Sequence, residues 1–240
     1  MTSEDIAALA AARRPVVAVL NKADLTCLRD EGPMTVAERR CGELQRRTGV
    51  PTRPLAALLA VAADSLDLAV IEALRAVTVD PAAVSPEVGR RLLAELDLFG
   101  VAVAVTAVSG GADGVVLAGM LRSVSGIAAV LDEIERASAP IRYRRLLRVL
   151  AGVAEDAVGP HGARAAEFLA SDAVVLARMA AAEKVLGGSD GGTDHLHRAI
   201  HWQRYARVPV SALHRACGTD IARGALRLWV RAGGCPEPIS

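Results

Sequence analysis

Two short apolar runs near the N-terminus are each followed by a segment with helical spacing. Residues 16–20 (Val-Val-Ala-Val-Leu) do not alternate with polar residues, which is typical of a parallel β-strand covered on both faces. Residues 52–61 form the second run. The pattern therefore predicts a helix over residues 3–13, a strand over 16–20, a helix over 35–48, a strand over 52–61 and a helix over 65–77.

The pattern changes after Pro81 and Pro86, where long stretches have helical periodicity. Residues 101–108 are ambiguous, because their length and β-branched content favour a buried strand while their alanines favour a helix. The predicted fold class is an α/β fragment of two parallel strands, with residues 101–108 as a candidate third, followed by a mainly α-helical region. Helices are predicted over residues 87–96, 115–137, 141–158, 163–186, 195–207 and 211–231.

These elements suggest two domains. Residues 1–80 are predicted to form a partial α/β domain, and residues 86–240 a helical extension. The glycine-rich segment at residues 187–193 is predicted to be a flexible linker within that extension.

Composition narrows the class of protein. Of the 240 residues, 52% are hydrophobic and 23% charged, as in a folded chain, and the scarcity of aromatic residues (2%) leaves alanine, valine and leucine to form the core. The net charge of +1 gives no reason to expect nucleic acid as a partner. The four cysteines form no Cys-x-x-Cys pair. The sequence shows neither a signal peptide nor an apolar run of the roughly 20 residues needed to span a bilayer. We therefore expect a cytoplasmic protein.

The segment directly after the first predicted strand has an unusual composition. It is Asn21-Lys22-Ala23-Asp24, and Asn21 is the only asparagine in the chain. Lys22 is one of two lysines, the other being Lys184, so 26 of the 28 basic residues are arginines (28 − 2). A chain that otherwise uses arginine places a lysine and its sole asparagine in one tetrapeptide.

This tetrapeptide resembles the Asn-Lys-x-Asp guanine-recognition motif of P-loop GTPases. Residues 1–78 resemble the C-terminal half of such a domain, and the later region resembles the helical extension of bacterial dynamin-like or Era-like GTPases. The resemblance implies that Asp24 accepts hydrogen bonds from N1–H and the exocyclic amine of guanine, that Lys22 covers the base plane, and that Asn21 holds the loop. It also implies that a second loop, here residues 60–63 with Ala62, offers a backbone N–H to the guanine O6.

The chain departs from this family at the phosphate-binding loop. Neither Lys22 nor Lys184 lies in a Gly-x-x-x-x-Gly-Lys-Ser/Thr motif, so the sequence contains no such loop. Because phosphate and Mg²⁺ contacts supply most of the affinity in these proteins, we expect GTP or GDP to bind weakly. Mg²⁺ is expected only if an intact phosphate loop is supplied elsewhere.

Three functions follow as hypotheses. The first is a degenerate or truncated GTPase-family protein that acts as an interaction module, with a GTPase or a second copy of itself as partner, and is not catalytic alone. The second is an active GTP-binding protein whose N-terminal phosphate-loop half is missing from this chain. The third is a helical scaffold in which Asn21–Asp24 is a relic.

Other motifs receive simpler interpretations. A circularly permuted GTPase would need a strand at 101–108 before the glycine loop 109–114, but Val115 and Val116 replace its Lys and Ser/Thr. The histidines at 195, 197 and 201 have no further ligand with zinc-site spacing, so we interpret them as solvated and predict no metal site. The arginine-rich faces at 142–148 and 223–231 are interpreted as solvated helix surfaces, with contact at the membrane periphery as the alternative.

Overall fold

A computed structural model describes residues 4, 8–9, 14–26, 31–156, 162–187 and 194–234. In these ranges two parallel strands are followed by a mainly helical region, which confirms the predicted fold class. The elements are β1 (Ala18–Asn21), a 3-10 turn (Ala23–Leu25), α1 (Pro33–Thr48), β2 (Thr52–Leu55), α2 (Ala57–Ser65), α3 (Leu68–Val79), a second 3-10 turn (Pro81–Ala83), α4 (Pro86–Ser109), α5 (Gly114–Ser125), α6 (Ile127–Asp156), α7 (Gly162–Ala170), α8 (Asp172–Leu186), α9 (His195–Tyr205) and α10 (Ala212–Arg231).

The two strands form a small parallel sheet. Their register pairs Ala18 with Thr52 and Asn21 with Leu55, and α1 connects them. The residues of β1 alternate between half-buried and exposed, and Val19 is 42% exposed. The expectation of a strand covered on both faces is therefore not met by the described residues. The predicted helix over 3–13 lies almost wholly outside them.

The second strand is shorter than predicted. It ends at Leu55, and the residues from Ala57 onward are helical rather than extended. The sequence Ala-Leu-Leu-Ala-Val-Ala-Ala has high helix propensity, which explains the early change. In addition, the Ala56 N–H donates to the Ser125 carbonyl at 2.9 Å, so the backbone after β2 is bonded to a helix end and not to a strand.

Residues 101–108 are helical and supply no third strand. They continue α4, which packs against α2, α3 and α5 around one apolar core. Gly100 allows this close packing, because a Cβ there would lie 2.3 Å from Cδ2 of Leu59. The strand required by the circularly permuted arrangement is thus a helix. By length and composition alone, α4 is also apolar enough to cross a bilayer, and 28% of its most apolar window is buried. Helices α5 and α6 meet the same criterion only when they are taken together, as one segment bent by 55°.

Helix α6 differs from the prediction that the helix ends before Pro140. It runs without interruption from Ile127 to Asp156, through Pro140. A proline inside a helix removes one backbone hydrogen bond and usually bends the helix, but neighbouring contacts can retain it. Ala139 is buried beside it.

The chain separates into two compact units, Met1–Ile134 and Glu135–Ser240. The sequence placed a boundary between residues 80 and 86 instead. The difference arises because α4 and α5 pack on α2 and α3, which sequence periodicity alone cannot show.

In the second unit, α8, α9 and α10 pack around a separate core. Trp202 is buried in it together with Cys217 and Ile221 of α10, and Tyr205 packs against the same cluster, so these aromatic residues pack helices together as expected. The Trp202 and Tyr205 rings also contact each other edge-on, with centroids 5.2 Å apart. The predicted helix over 163–186 is divided at Ser171, whose hydroxyl accepts from the Val174 N–H and begins α8. Residues 188–193 of the predicted linker lie outside the described residues.

Candidate functional site

The Asn21–Asp24 segment leaves the carboxyl end of β1 in a tight turn. The side-chain oxygen of Asn21 accepts the Lys22 N–H at 2.8 Å, and Lys22 adopts a left-handed backbone conformation with φ 55°. The Thr26 hydroxyl lies 2.7 Å from both the Ala23 and the Pro33 carbonyl oxygens. The turn is therefore attached to the start of α1, while the side chains of Asn21 and Lys22 remain exposed.

Asp24 is the one buried ionisable residue of this turn, with 7% of its surface exposed. Its carboxyl group faces that of Asp97 from α4, within hydrogen-bonding reach. Burial raises the pKa of Asp24 above its usual 3.8, and the neighbouring Asp97 raises it further, while the turn backbone and Lys22 act in the opposite direction. The Asp24 carboxyl, to which the resemblance assigns guanine recognition, thus lies against a second acid.

Asp97 interrupts its own helix. Its backbone, at φ 60° and ψ 174°, is not helical, and its carboxylate accepts the Leu98 N–H at 2.5 Å. Among the described residues, Lys22 and Asp97 are the only non-glycine residues with positive φ, and both are neighbours of Asp24. Such conformations cost of order 1–3 kcal/mol and tend to cluster where function requires them.

Sequence reasoning did not identify Asp97. The only signal was an acid between two leucines, Leu96 and Leu98, close to a second acid at Glu95. Its contact with Asp24 joins residues far apart in the chain, and periodicity gives no information about such pairs.

Ala62 is not placed as the resemblance implied. It is buried in the interior of α2, where backbone N–H groups are bonded within the helix, so it is not part of a loop that could meet guanine O6. The backbone that does follow β2 is the start of α2, at Ala57. That helix has no side-chain cap, and the first N–H groups of a helix lack partners within it.

The strand register brings these groups to one edge of the sheet. Asn21 pairs with Leu55, so the Asn21–Asp24 turn and the N-terminus of α2 both follow the carboxyl ends of adjacent parallel strands. This edge is where ligands bind in open parallel α/β sheets. It offers a carboxylate acceptor, an exposed lysine and the backbone N–H groups of Ala57 and Leu58, which have no partner among the described residues. This set is complementary to the polar edge of a purine.

The described residues at this edge include no groups suited to a triphosphate. No described loop holds a lysine beside a serine or threonine hydroxyl in phosphate-loop spacing, and Asp24 with Asp97 would repel phosphate. A scan of protein-family models, a search of curated proteins and a search of solved structures each found no match to this chain.

A buried polar cluster in the second unit was also missed by sequence reasoning. The Tyr143 hydroxyl donates to Asp220 at 2.7 Å, and Arg178 binds the same carboxylate through Nε at 3.1 Å and Nη2 at 2.7 Å. Burial raises the pKa of the adjacent Cys217 thiol to about 11, so the thiol stays protonated and unreactive at neutral pH. Every charge in the cluster has a partner, which indicates a structural role.

The remaining candidates lie apart from these groups. Over the described ranges no three His, Cys, Asp or Glu side chains come together as a metal site. His197 and His201 are exposed on α9, and His201 contacts Trp202 edge-on at 5.3 Å. Arg227 and Arg231 of α10 form ion pairs with Asp172, whereas Arg223 is exposed.

Proposed function

We propose that this chain is a degenerate relative of P-loop GTPases that keeps the guanine-recognition segment and acts as an interaction module, not as a catalyst by itself. The observation that supports the proposal best is the position of Asn21–Asp24 beside the uncapped start of α2, at the carboxyl edge of two parallel strands. A partner that completes the phosphate site, either a GTPase or a second copy of the chain, would supply the missing loop and its Mg²⁺.

The chemistry of base selection rests on Asp24. An ionised carboxylate can accept both N1–H and the exocyclic amine of guanine, whereas adenine presents an acceptor at N1 and no amine at C2. Adenine would leave the buried carboxylate unpaired, which is the strongest source of discrimination at a polar site. The backbone N–H groups at the start of α2, rather than that of Ala62, would face the guanine O6.

The contact with Asp97 favours a second candidate function. Since Asp97 covers Asp24, the turn is also compatible with a helical scaffold in which the motif is a relic. The two candidates differ in whether the Asp24 carboxylate becomes available to a base. Both are consistent with a cytoplasmic protein, in which the described cysteines Cys41 and Cys217 are free and buried.

The test is ligand-observed NMR on the whole chain with GDP and, separately, ADP. We expect GDP to bind more weakly than about 10 µM but measurably better than ADP. Asp24→Ala should abolish the preference, and Glu43→Ala, which removes an exposed acid on α1, should not. Equal binding of GDP and ADP supports the relic, and GDP binding tighter than 10 µM refutes the claim that the isolated chain cannot hold nucleotide well.

A further inference from the structure

A groove of about 430 Å³ lies between α9 and α10 in the second unit. Its floor is made of small side chains, among them Ala199 and Ala222. Two larger aliphatic side chains, Ile200 and Leu226, line one end and are 39% and 44% exposed. The volume is in the range of small-molecule sites, and although Ala199 and Ala222 are buried, Ile200 and Leu226 remain accessible to solvent.

Three arginines also line this groove: Arg207, Arg215 and Arg223. Over the described part of this unit, none of them forms an ion pair with a carboxylate and no acidic residue lines the groove. Other arginines of the same unit do pair, as Arg178 does with Asp220 and Arg198 with Glu183. The groove therefore concentrates uncompensated positive charge on a concave surface with an apolar floor.

The two ends of the groove differ in character. Helices α9 and α10 are antiparallel neighbours, so Arg207, just after α9, lies near Arg215 in the first turn of α10. The N-terminal end of α10 adds its positive dipole there. Leu226 lies eleven residues beyond Arg215, about 16 Å along the helix axis, beside Ile200.

From this arrangement we propose that the groove binds a single-chain anionic amphiphile, such as a medium-chain fatty acid. Its carboxylate pairs with Arg207 and Arg215, and its alkyl chain lies along the alanine floor toward Ile200 and Leu226. Arginine suits this role because its fork of donors matches a carboxylate and its charge is permanent.

The separation of charge and apolar surface favours this ligand over an acidic amphipathic helix. A helix presents its acidic and apolar residues on two faces along its whole length, whereas two of the three arginines of this groove, Arg207 and Arg215, lie together at one end and only Arg223 lies within one helical turn of Leu226. Arg223, on the rim, adds attraction for the anion along the groove. The site is independent of the proposed function of Asn21–Asp24.

A second groove in this unit makes a control ligand necessary. It has a volume of about 440 Å³ between α6, α7 and α8, and its lining is apolar, including Leu146, Val149 and Phe168. That groove would accept an alkyl chain without regard to charge. An alcohol and a fatty acid of the same chain length should therefore bind equally well in that apolar groove, whereas the arginine-lined groove should prefer the fatty acid.

The experiment is calorimetric titration of the whole chain with dodecanoate below its micellar concentration. We expect dodecanol to bind at least tenfold more weakly, and decanoate about fivefold more weakly, because an open groove buries only part of each methylene. Arg207→Ala with Arg215→Ala should weaken dodecanoate binding at least tenfold. The matched pair Arg144→Ala with Arg148→Ala, exposed on α6, should change it less than twofold.

Thr219→Trp is a second variant that fills the groove from an exposed position on α10 and should also weaken binding. Thermal melting checks that each variant is folded. The proposal is refuted if dodecanoate does not bind, if dodecanol binds equally well, or if the groove variants leave the affinity unchanged. Binding to vesicles of anionic phospholipid without binding to dodecanoate would also overturn it, because the surface would then recognise a membrane.

Discussion

Replacing Asp97 by asparagine removes one of the two acids that face each other at the candidate site. Asparagine keeps the side-chain oxygen that accepts the Leu98 N–H and nearly the same volume, so the interruption of α4 should persist. What changes is the charge beside Asp24. We expect Asp97→Asn to stabilise the first unit at neutral pH and to have little effect in acid.

The sign follows from the raised pKa of Asp24. The folded state holds a proton that the unfolded chain releases near pH 3.8, so the stability contributed by this group is complete below that pH and is lost as the pH rises through the folded pKa. Two carboxylates about 4 Å apart repel by about 1 kcal/mol in water and by about 4 kcal/mol at the effective dielectric of a protein surface. Because Asp97 is only half-buried, we expect a gain of about 1–2 kcal/mol at pH 8.

The assay is urea unfolding at several pH values between 4 and 8, followed by a probe in the first unit. The difference between Asp97→Asn and the unchanged chain should grow with pH, whereas Glu72→Gln, an exposed acid on α3, should give a small and flat difference. A variant that is less stable at pH 8, or a difference that shrinks as pH rises, would refute the reasoning that these acids oppose each other.

Two other substitutions test the packing of the fold. Asp220→Ala should lower the free energy of unfolding of the second unit, measured in urea, by about 2–3 kcal/mol. This is less than is usual for a broken buried ion pair, because the Arg178 side chain is 29% exposed and can be solvated again. A loss under about 1 kcal/mol would contradict the assigned ion pair. Gly126→Ala should cost about 1–3 kcal/mol, because a Cβ would lie 2.7 Å from the Pro54 carbonyl oxygen at a φ of +78°. The control is Gly119→Ala, where α5 has open space, and it should stabilise by about 0.5–1 kcal/mol. Both changes are measured by urea unfolding of the first unit, and equal effects would disprove the steric explanation.

Local patterns in the sequence predicted much of the fold. The apolar run before Asn21 and the one beginning at Thr52 became the two parallel strands, and periodic segments became helices. The errors lie where two local preferences compete. The alanine-rich residues after Leu55 form a helix although they follow a strand, and residues 101–108 became helical because α4 has helices to pack against on several sides.

The candidate site was predicted only in part. The sequence indicated Asn21, Lys22 and Asp24 as candidates and predicted a strand leading into them, and the structure has that strand ending at Asn21. The motif and its flanking strand are local features of the sequence. It could not show that Asp97 covers Asp24, since that contact depends on how α4 packs. For the same reason Ala62 was assigned to a loop, although it lies inside a helix.

The most direct test of guanine recognition is the base preference of Asp24→Asn. Xanthine has a carbonyl where guanine has its exocyclic amine, so an asparagine amide can accept N1–H and donate to that carbonyl. By ligand-observed NMR at pH 8, the unchanged chain should prefer guanosine to xanthosine monophosphate, and Asp24→Asn should reverse the preference, while Glu43→Gln should not. An unchanged chain with no preference, or the same preference in Asp24→Asn, would contradict guanine recognition by this turn.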